Sequence, residues 1–196
     1  ENYGKTWWLM VWFSNNTGAK LVWNDTYGYY RLPDEYIGKG YKIYNVRLCI
    51  ARDRLPSSGT YLFKYDLVQG SVVNKIKTAD LQFDLVQKNT MDIFPKYQNV
   101  TFSQSGSHIS GSYNVTIPSR CVRLSLLLYP TNNDSAFNFS GVSFSFGQIP
   151  DSSVGTADSG VKSDPSQDTA DNTATIAENS NRQVEQGDSI IELIKN

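Results

Sequence analysis

Residues 121–129 read CVRLSLLLY, and apolar side chains occupy every second position of this stretch. Residues 141–146, GVSFSF, repeat the alternation. Successive side chains of an extended strand point to opposite faces, so each stretch predicts a strand with one buried face. The predicted inward sets are Val122, Leu124, Leu126 and Leu128 in the first stretch, and Val142, Phe144 and Phe146 in the second.

Similar stretches occur earlier in the chain, and Gly, Pro, Asn and Ser turns separate them. Residues 41–52, YKIYNVRLCIAR, would turn Tyr44, Val46, Leu48 and Ile50 inward and leave the opposite face more polar. About nine short strands with this spacing predict an all-β head, an antiparallel β-sandwich or jelly roll. The predicted core is Val46, Leu48, Ile50, Leu124, Leu126, Leu128, Val142, Phe144 and Phe146.

The segments between these strands are less regular. A short strand is expected at Lys20–Trp23, followed by an irregular segment over residues 24–40. Residues 72–87 fit one or two strands. Pro95 argues against a continuous strand over residues 88–96, because proline cannot donate to a strand ladder.

The composition changes near residue 147, and no Phe, Trp or Tyr occurs from Gln148 to Asn196. Residues 148–166 are rich in Ser, Asp, Gly and Pro, which predicts a flexible linker between a head over residues 1–147 and a C-terminal segment. Residues 167–196 predict a helical stalk that needs partners to be ordered, because its apolar residues are concentrated at its end. The candidate partner-docking side chains are Val184, Ile190, Ile191 and Ile194.

The charge balance limits the partners. The chain has 18 Lys and Arg against 19 Asp and Glu, a net charge of −1, whereas a nucleic-acid binder needs a basic surface. No stretch is apolar for long enough to cross a bilayer, so no membrane insertion is expected. The absence of an initial Met and the abrupt apolar end indicate a processed piece of a longer polypeptide.

The sequence does not indicate catalytic chemistry. His108 is the only histidine and lies in SGSHISGS, residues 105–112, which is typical of an exposed hairpin turn, so a Ser-His-acid triad or a two-histidine metal site is disfavoured. Most carboxylates flank turns, where Asp bonds to the backbone, and nothing selects the pair that a glycosidase needs. We expect no enzymatic activity, no cofactor and no metal.

Two cysteines, Cys49 and Cys121, lie within apolar strands. Two are too few for a disulfide scaffold. The alternatives are two buried free thiols, one bridge between neighbouring strands, or a metal or catalytic role.

Aromatic residues are the better indication of function, and they are concentrated in the first 36 residues. In TWWLMVWF, residues 6–13, one face carries Trp8, Met10 and Trp12, and we expect another subunit or another layer of the chain to cover it. Flat rings with polar neighbours suit both sugar stacking and protein interfaces. The candidate glycan or interface aromatics are Trp8, Trp12, Trp23, Tyr27, Tyr29 and Tyr30.

Six N-x-S/T sequons also occur, and a glycan coat is one interpretation of them. The chain is rich in Asn, Ser and Thr, and Asn114 falls within a predicted strand, so we favour coincidence in a bacterial or phage protein. The sequon residues are Asn15, Asn24, Asn99, Asn114, Asn133 and Asn138.

The Asn/Ser/Tyr-rich head, the Ser/Asp linker and the tail TADNTATIAENSNRQVEQGDSIIELIKN, residues 169–196, resemble structural proteins of tailed bacteriophages, such as minor tail, fibre and baseplate proteins. This resemblance implies a virion module in host attachment or tail assembly that contacts other virion proteins as a homo-oligomer, a trimer or hexamer. The alternative is a carbohydrate-binding module of a secreted or surface protein, for which a cell-surface glycan is the partner. A polysaccharide depolymerase fragment is disfavoured, since no carboxylate pair stands out.

Overall fold

The structure, a computed structural model, describes residues 6–134 and 136–149, which form two antiparallel sheets packed face to face. The predicted all-β sandwich is therefore confirmed. The strands of the described residues are β1 (Trp7–Phe13), β2 (Gly18–Lys20), β3 (Val22–Asn24), β4 (Tyr29–Arg31), β5 (Ile43–Ala51), β6 (Gly59–Gln69), β7 (Ile76–Val86), β8 (Ile93–Val100), β9 (Ser103–Ser105), β10 (His108–Ile117), β11 (Cys121–Pro130) and β12 (Asn138–Gly147). The first sheet has the order β2-β1-β5-β11-β7-β8, and the second has the order β3-β4-β12-β6-β10-β9.

The core lies between the sheets and includes the alternating apolar positions that the sequence predicts on β5 and β11. Val46, Leu48 and Ile50 on β5 are buried, and so are their neighbours on β11. Leu126 of CVRLSLLLY is fully buried opposite Leu48 and Leu81. The three predicted core residues of β12 are only half-buried and pack against the edge of the core; they are Val142, Phe144 and Phe146.

Two register shifts correct the predicted inward sets. Trp12 pairs with Asn45 and Phe13 pairs with Ile43, so Tyr44 is bulged out of the ladder and is 54% exposed. The bulge places two consecutive residues against one, which reverses the alternation on one side of it. A second shift lies between Cys121 and Arg123 of β11, and Val122 beside it is half-buried instead of lying in the core.

The chain crosses between the sheets at Leu21, which divides the predicted strand Lys20–Trp23 in two. Strand β2 lies in the first sheet and β3 in the second, and Leu21 between them is buried. The predicted irregular segment contains β4 and a short 3-10 helix, Asp34–Tyr36. Pro95 argues against a continuous strand over residues 88–96, yet β8 begins at Ile93 and contains Pro95. Strand β8 is an edge strand, where a missing N–H donor is tolerated.

The cysteines are both buried free thiols, as one alternative predicted. Strands β5 and β11 are neighbours, but the register places Ser125 opposite Cys49, four residues along the strand from Cys121. A bridge between them is therefore wrong. Burial raises the pKa of both thiols.

The predicted stalk over residues 167–196 and most of the predicted linker lie outside the described residues, so both remain predictions. In the two ranges that the structure does describe, no helix has the length and apolar character needed to cross a membrane. Among the sequons, the side chains of Asn114 and Asn138 are buried within strands.

Candidate binding surface on the first sheet

The outer face of the first sheet carries two Trp–Arg pairs. Trp8 and Trp12 project from the side of β1 that faces away from the core, with Met10 between them, and all three are half-buried. The Arg47 guanidinium lies over the Trp12 ring, 4.8 Å from its centroid, and Arg123 lies 5.9 Å from the centroid of Trp8. We call these five residues the Trp–Arg face.

Strand pairing brings these side chains together from distant parts of the sequence. Met10 pairs with Arg47 of β5, and Arg123 of β11 pairs with Ala51 of the same strand. A cation over an indole is stabilising by about 0.5–2 kcal/mol, depending on how far it is desolvated. The arginines therefore hold the two tryptophans in place along the strand, about 13 Å apart at ~3.3 Å per residue.

The absence of a side chain at Gly18 makes room for this arrangement. Gly18 of β2 pairs with Trp12 across the ladder. A Cβ atom there would lie 2.6 Å from Cε3 of Trp12 and 2.8 Å from Cε of Met10. Both side chains therefore lean over the backbone of β2, and only glycine permits this contact.

The two pairs differ in electrostatics. Arg123 donates from Nε to Oδ2 of Asp84 at 2.8 Å, and Gln82 donates from Nε2 to the other carboxylate oxygen at 2.9 Å. Arg47 donates from Nε to Oδ1 of Asn45 at 2.9 Å, and within the described residues it has no ion-pair partner. The charge of Arg123 is thus compensated, whereas no carboxylate in the described part of the chain compensates that of Arg47.

Buried amides lie beneath the charged groups. The side chain of Asn45 is fully buried, and among the described residues neither its Nδ2 nor Oε1 of the buried Gln82 has a hydrogen-bond partner. A buried polar atom without a partner is costly, and such atoms recur at binding sites where a ligand or water completes them. Asn45 also lies beside the Tyr129 hydroxyl, whose pKa is raised by burial and by the Asp80 carboxylate.

A cleft continues the Trp–Arg face beyond Asn45. It has a volume of about 420 Å³ and is lined by Tyr44, Tyr129, Lys77 and the polar segment of residues 131–133. The Tyr44 and Tyr129 rings meet edge to face, with centroids 5.3 Å apart. We call this the Tyr44 cleft. The bulge that overturns the predicted position of Tyr44 is thus what places its ring in a surface site.

The other four candidate aromatics lie elsewhere, on the β3–β4 hairpin of the second sheet. Trp23 packs edge to face on Tyr30, and Tyr30 packs in the same way on Trp7. Tyr27 stacks on Tyr29 on the opposite side of the hairpin and is 60% exposed. The structure therefore does not unite the six candidates in one site: Trp8 and Trp12 belong to the Trp–Arg face, while Trp23 and Tyr30 mainly secure the hairpin.

The outer face of the second sheet offers a different surface. A depression of about 390 Å³ lies there among Lys64, Asp66 and serines of β10 and β12. His108 is exposed, as predicted, but it begins β10 and contacts Asp66 through Nδ1 at 3.2 Å instead of lying in the turn. Two aromatic residues also line the depression: Tyr65 is buried, and Phe144 is half-buried and packs against the core.

No family model and no curated protein matches this chain. Among solved structures, it is similar to the enzymatically active domain of tailspike protein 4 of bacteriophage CBA120, with 8% identity and a TM-score of 0.35. That match covers 72% of this chain and 19% of the tailspike domain, so the chain spans about a fifth of its length.

Two carbohydrate-binding modules are also similar. CBM28, which is specific for non-crystalline cellulose, has 11% identity and a TM-score of 0.34, covering 74% of this chain and 90% of that chain. A CBM4 structure has 15% identity and a TM-score of 0.32, and the match covers 71% of this chain and 86% of that chain. These likenesses concern the β-sandwich alone.

The arginines of the Trp–Arg face were not among the candidates named from the sequence. Arg47 does fall on the predicted polar face of its strand, and Arg123 lies between the inward residues of β11. The available signal is that both Trp and Arg occupy positions facing away from the core. Which strands are neighbours, and hence which Arg meets which Trp, depends on long-range pairing.

Proposed function

We propose that this chain is a non-enzymatic binding module that attaches to a cell-surface glycan, and that the glycan binds on the Trp–Arg face and in the Tyr44 cleft. The observation that carries the proposal is the pair of half-exposed indoles on one strand, each held by a guanidinium above buried amides. Indole faces stack on the apolar faces of sugar rings, and the amides and guanidinium groups suit their hydroxyls.

The shape of the site fits an extended ligand. Trp8 and Trp12 are separated by more than the length of one pyranose ring, and the cleft extends the surface past Asn45. An oligosaccharide could therefore stack at two places and enter the cleft with its end. We place the module in a virion or at the outer surface of a cell, in host attachment.

Glycan binding by matched tryptophan variants tests the proposal. Trp12→Ala should abolish binding on a glycan array and in titration calorimetry, whereas Trp23→Ala, on the second sheet, should bind as the unaltered protein does. Circular dichroism and thermal unfolding confirm that both variants fold. Glycan binding that survives Trp12→Ala, or an absence of binding to any glycan, would contradict the proposal.

A second candidate is a structural role in which the Trp–Arg face contacts another subunit of a trimer or hexamer, or another virion protein. The favouring observation is Met10, which joins the two indoles into one apolar strip. The mass in solution separates the candidates. A homo-oligomer that Trp12→Ala converts to monomers would favour the interface over the glycan.

A further inference from the structure

We infer that the glycan is anionic and that its carboxylate or phosphate group binds Arg47 at the Trp12 end of the Trp–Arg face. The inference rests on the proposed glycan-binding function and names the ligand class of the same surface. Its starting point is the difference between the two Trp–Arg pairs: Asp84 compensates Arg123, and in the described residues no carboxylate compensates Arg47.

The local charge supports an anion. Lys77 lines the Tyr44 cleft, so this surface carries three cationic side chains with Arg47 and Arg123. Among the described residues its carboxylates are Asp80 and Asp84, which leaves an excess of one positive charge (3 − 2) on a chain whose net charge is −1. Asp80 accepts from Nδ2 of Asn99 at 3.1 Å and lies two strands away from Arg47, across Leu127.

The geometry of Arg47 leaves its terminal nitrogens available. Only Nε has a hydrogen-bond acceptor among the described residues, the Oδ1 atom of Asn45, and the guanidinium plane rests on Trp12. A guanidinium matches a carboxylate or phosphate through two parallel hydrogen bonds, which a neutral hydroxyl does not reproduce.

The resulting ligand is asymmetric. A neutral sugar ring stacks at Trp8, where Asp84 cancels the charge of Arg123. The acidic group of the glycan lies near Trp12, and the rest of the glycan is directed toward Lys77. The surface is thus suited to an acidic oligosaccharide, such as a uronate polymer or a phosphorylated glycan. Carboxylate and phosphate share the chemistry that Arg47 recognises, so the probes must separate them.

Two matched pairs of probes test the inference on the full chain. Oligogalacturonate is compared with its methyl ester, and phosphorylated dextran with dextran, beside a glycan array that contains neutral and anionic members. Binding to anionic members that weakens as NaCl is raised is the expected result, and the probe pairs show whether carboxylate or phosphate is preferred.

Variants then locate the charge. Arg47→Gln should weaken binding of the anionic glycan by at least about tenfold, in keeping with a charge-assisted hydrogen bond of ~1.5–3 kcal/mol. Lys64→Gln removes the same charge from the second sheet and should change binding less than about twofold. Arg47→Lys keeps the positive charge but loses the two parallel hydrogen bonds of the guanidinium, so its loss of affinity should lie between those of Arg47→Gln and Lys64→Gln. It replaces Arg47→Gln if that variant fails to fold.

The outcomes separate the two proposals. If only neutral glycans bind and Arg47→Gln binds them normally, the inference is wrong and the glycan-binding function stands. If no glycan of either kind binds, both are wrong. If Arg47→Gln and Lys64→Gln weaken anionic binding equally, the attraction is a general effect of charge and Arg47 is not the site.

Discussion

Arg123 and Asp84 form an ion pair across neighbouring strands, with Nε of Arg123 2.8 Å from Oδ2 of Asp84. Strands β11 and β7 place the two residues directly opposite each other. The Asp84 side chain is 4% exposed and that of Arg123 is 41% exposed. The carboxylate is therefore buried, and the guanidinium covers it on the side of the sheet where it also contacts the Trp8 ring. The pair fixes one end of the Trp–Arg face.

Removing the guanidinium should destabilise the protein. Arg123→Leu leaves a buried carboxylate without its counter-charge, which is expected to cost about 3 kcal/mol. The double variant Arg123→Leu with Asp84→Leu should recover most of the loss, because no buried charge remains. Urea unfolding measures both. An Arg123→Leu protein as stable as the original would show that Gln82 alone satisfies Asp84.

The contact at Gly18 predicts a variant that separates binding from folding. Gly18→Ala places a methyl group where the Trp12 ring and the end of Met10 lie, so the ring must tilt away from β2. We expect weaker glycan binding and quenched or shifted Trp fluorescence, with a change in unfolding free energy below about 1 kcal/mol, since flexible side chains can move. Gly141→Ala, in β12 of the second sheet, is a control far from this surface, because a Cβ atom there would meet Val68 only at an ordinary contact distance of 3.5 Å. Normal binding by Gly18→Ala would remove Trp12 from the site.

The core should respond as its burial dictates. Leu126→Ala removes a fully buried side chain at the centre of the first sheet and should cost about 2–5 kcal/mol. Tyr44→Ala, at a position where simple alternation predicts burial, should cost less than about 1 kcal/mol, because the ring is 54% exposed. Chemical denaturation of the two variants compares them directly. Equal losses would mean that the bulge at Tyr44 is wrong.

The buried thiols predict a loss of stability in alkali. Burial raises the pKa of the Cys121 thiol from its ordinary value of 9.0 to about 11, so the unfolded chain loses this proton first. The stabilisation is complete below pH 9 and is lost as the pH rises toward 11. The raised pKa values of the buried Tyr65 and of the half-buried Tyr129 act in the same direction at higher pH.

Thermal unfolding between pH 9 and pH 11, measured also on Cys121→Ala, should show that stability falls less steeply with pH in the variant. Both thiols should also resist a thiol reagent near pH 8 in the native protein and react on unfolding. Rapid reaction of either thiol in the native protein would contradict its burial.

The sequence alone was sufficient for the sandwich and for most of the core, because alternation is local and strong in residues 121–129. It could not predict the bulge at Tyr44 or the crossing at Leu21, since both depend on which strand lies opposite. The same limit applies to the site. The tryptophans were recognisable by type, but Arg47 and Arg123 join them only through pairing between strands far apart in sequence.

Strand β8, which contains Pro95, shows how a local rule can mislead. Proline disfavours central strands, and it is accepted here because β8 has a neighbour on one side only. Whether a strand is central or at an edge follows from the whole sheet order, which no window of residues contains.

Trp7 and Phe144 touch edge to face, with ring centroids 6.3 Å apart, at the beginning of the first strand and near the end of the last. The first strand of the head therefore begins close to the place where its last strand ends. A domain with this geometry can be spliced into a surface loop of another protein without forcing the host's two flanks apart. It can thus be inserted within another protein as readily as it can be placed at a terminus.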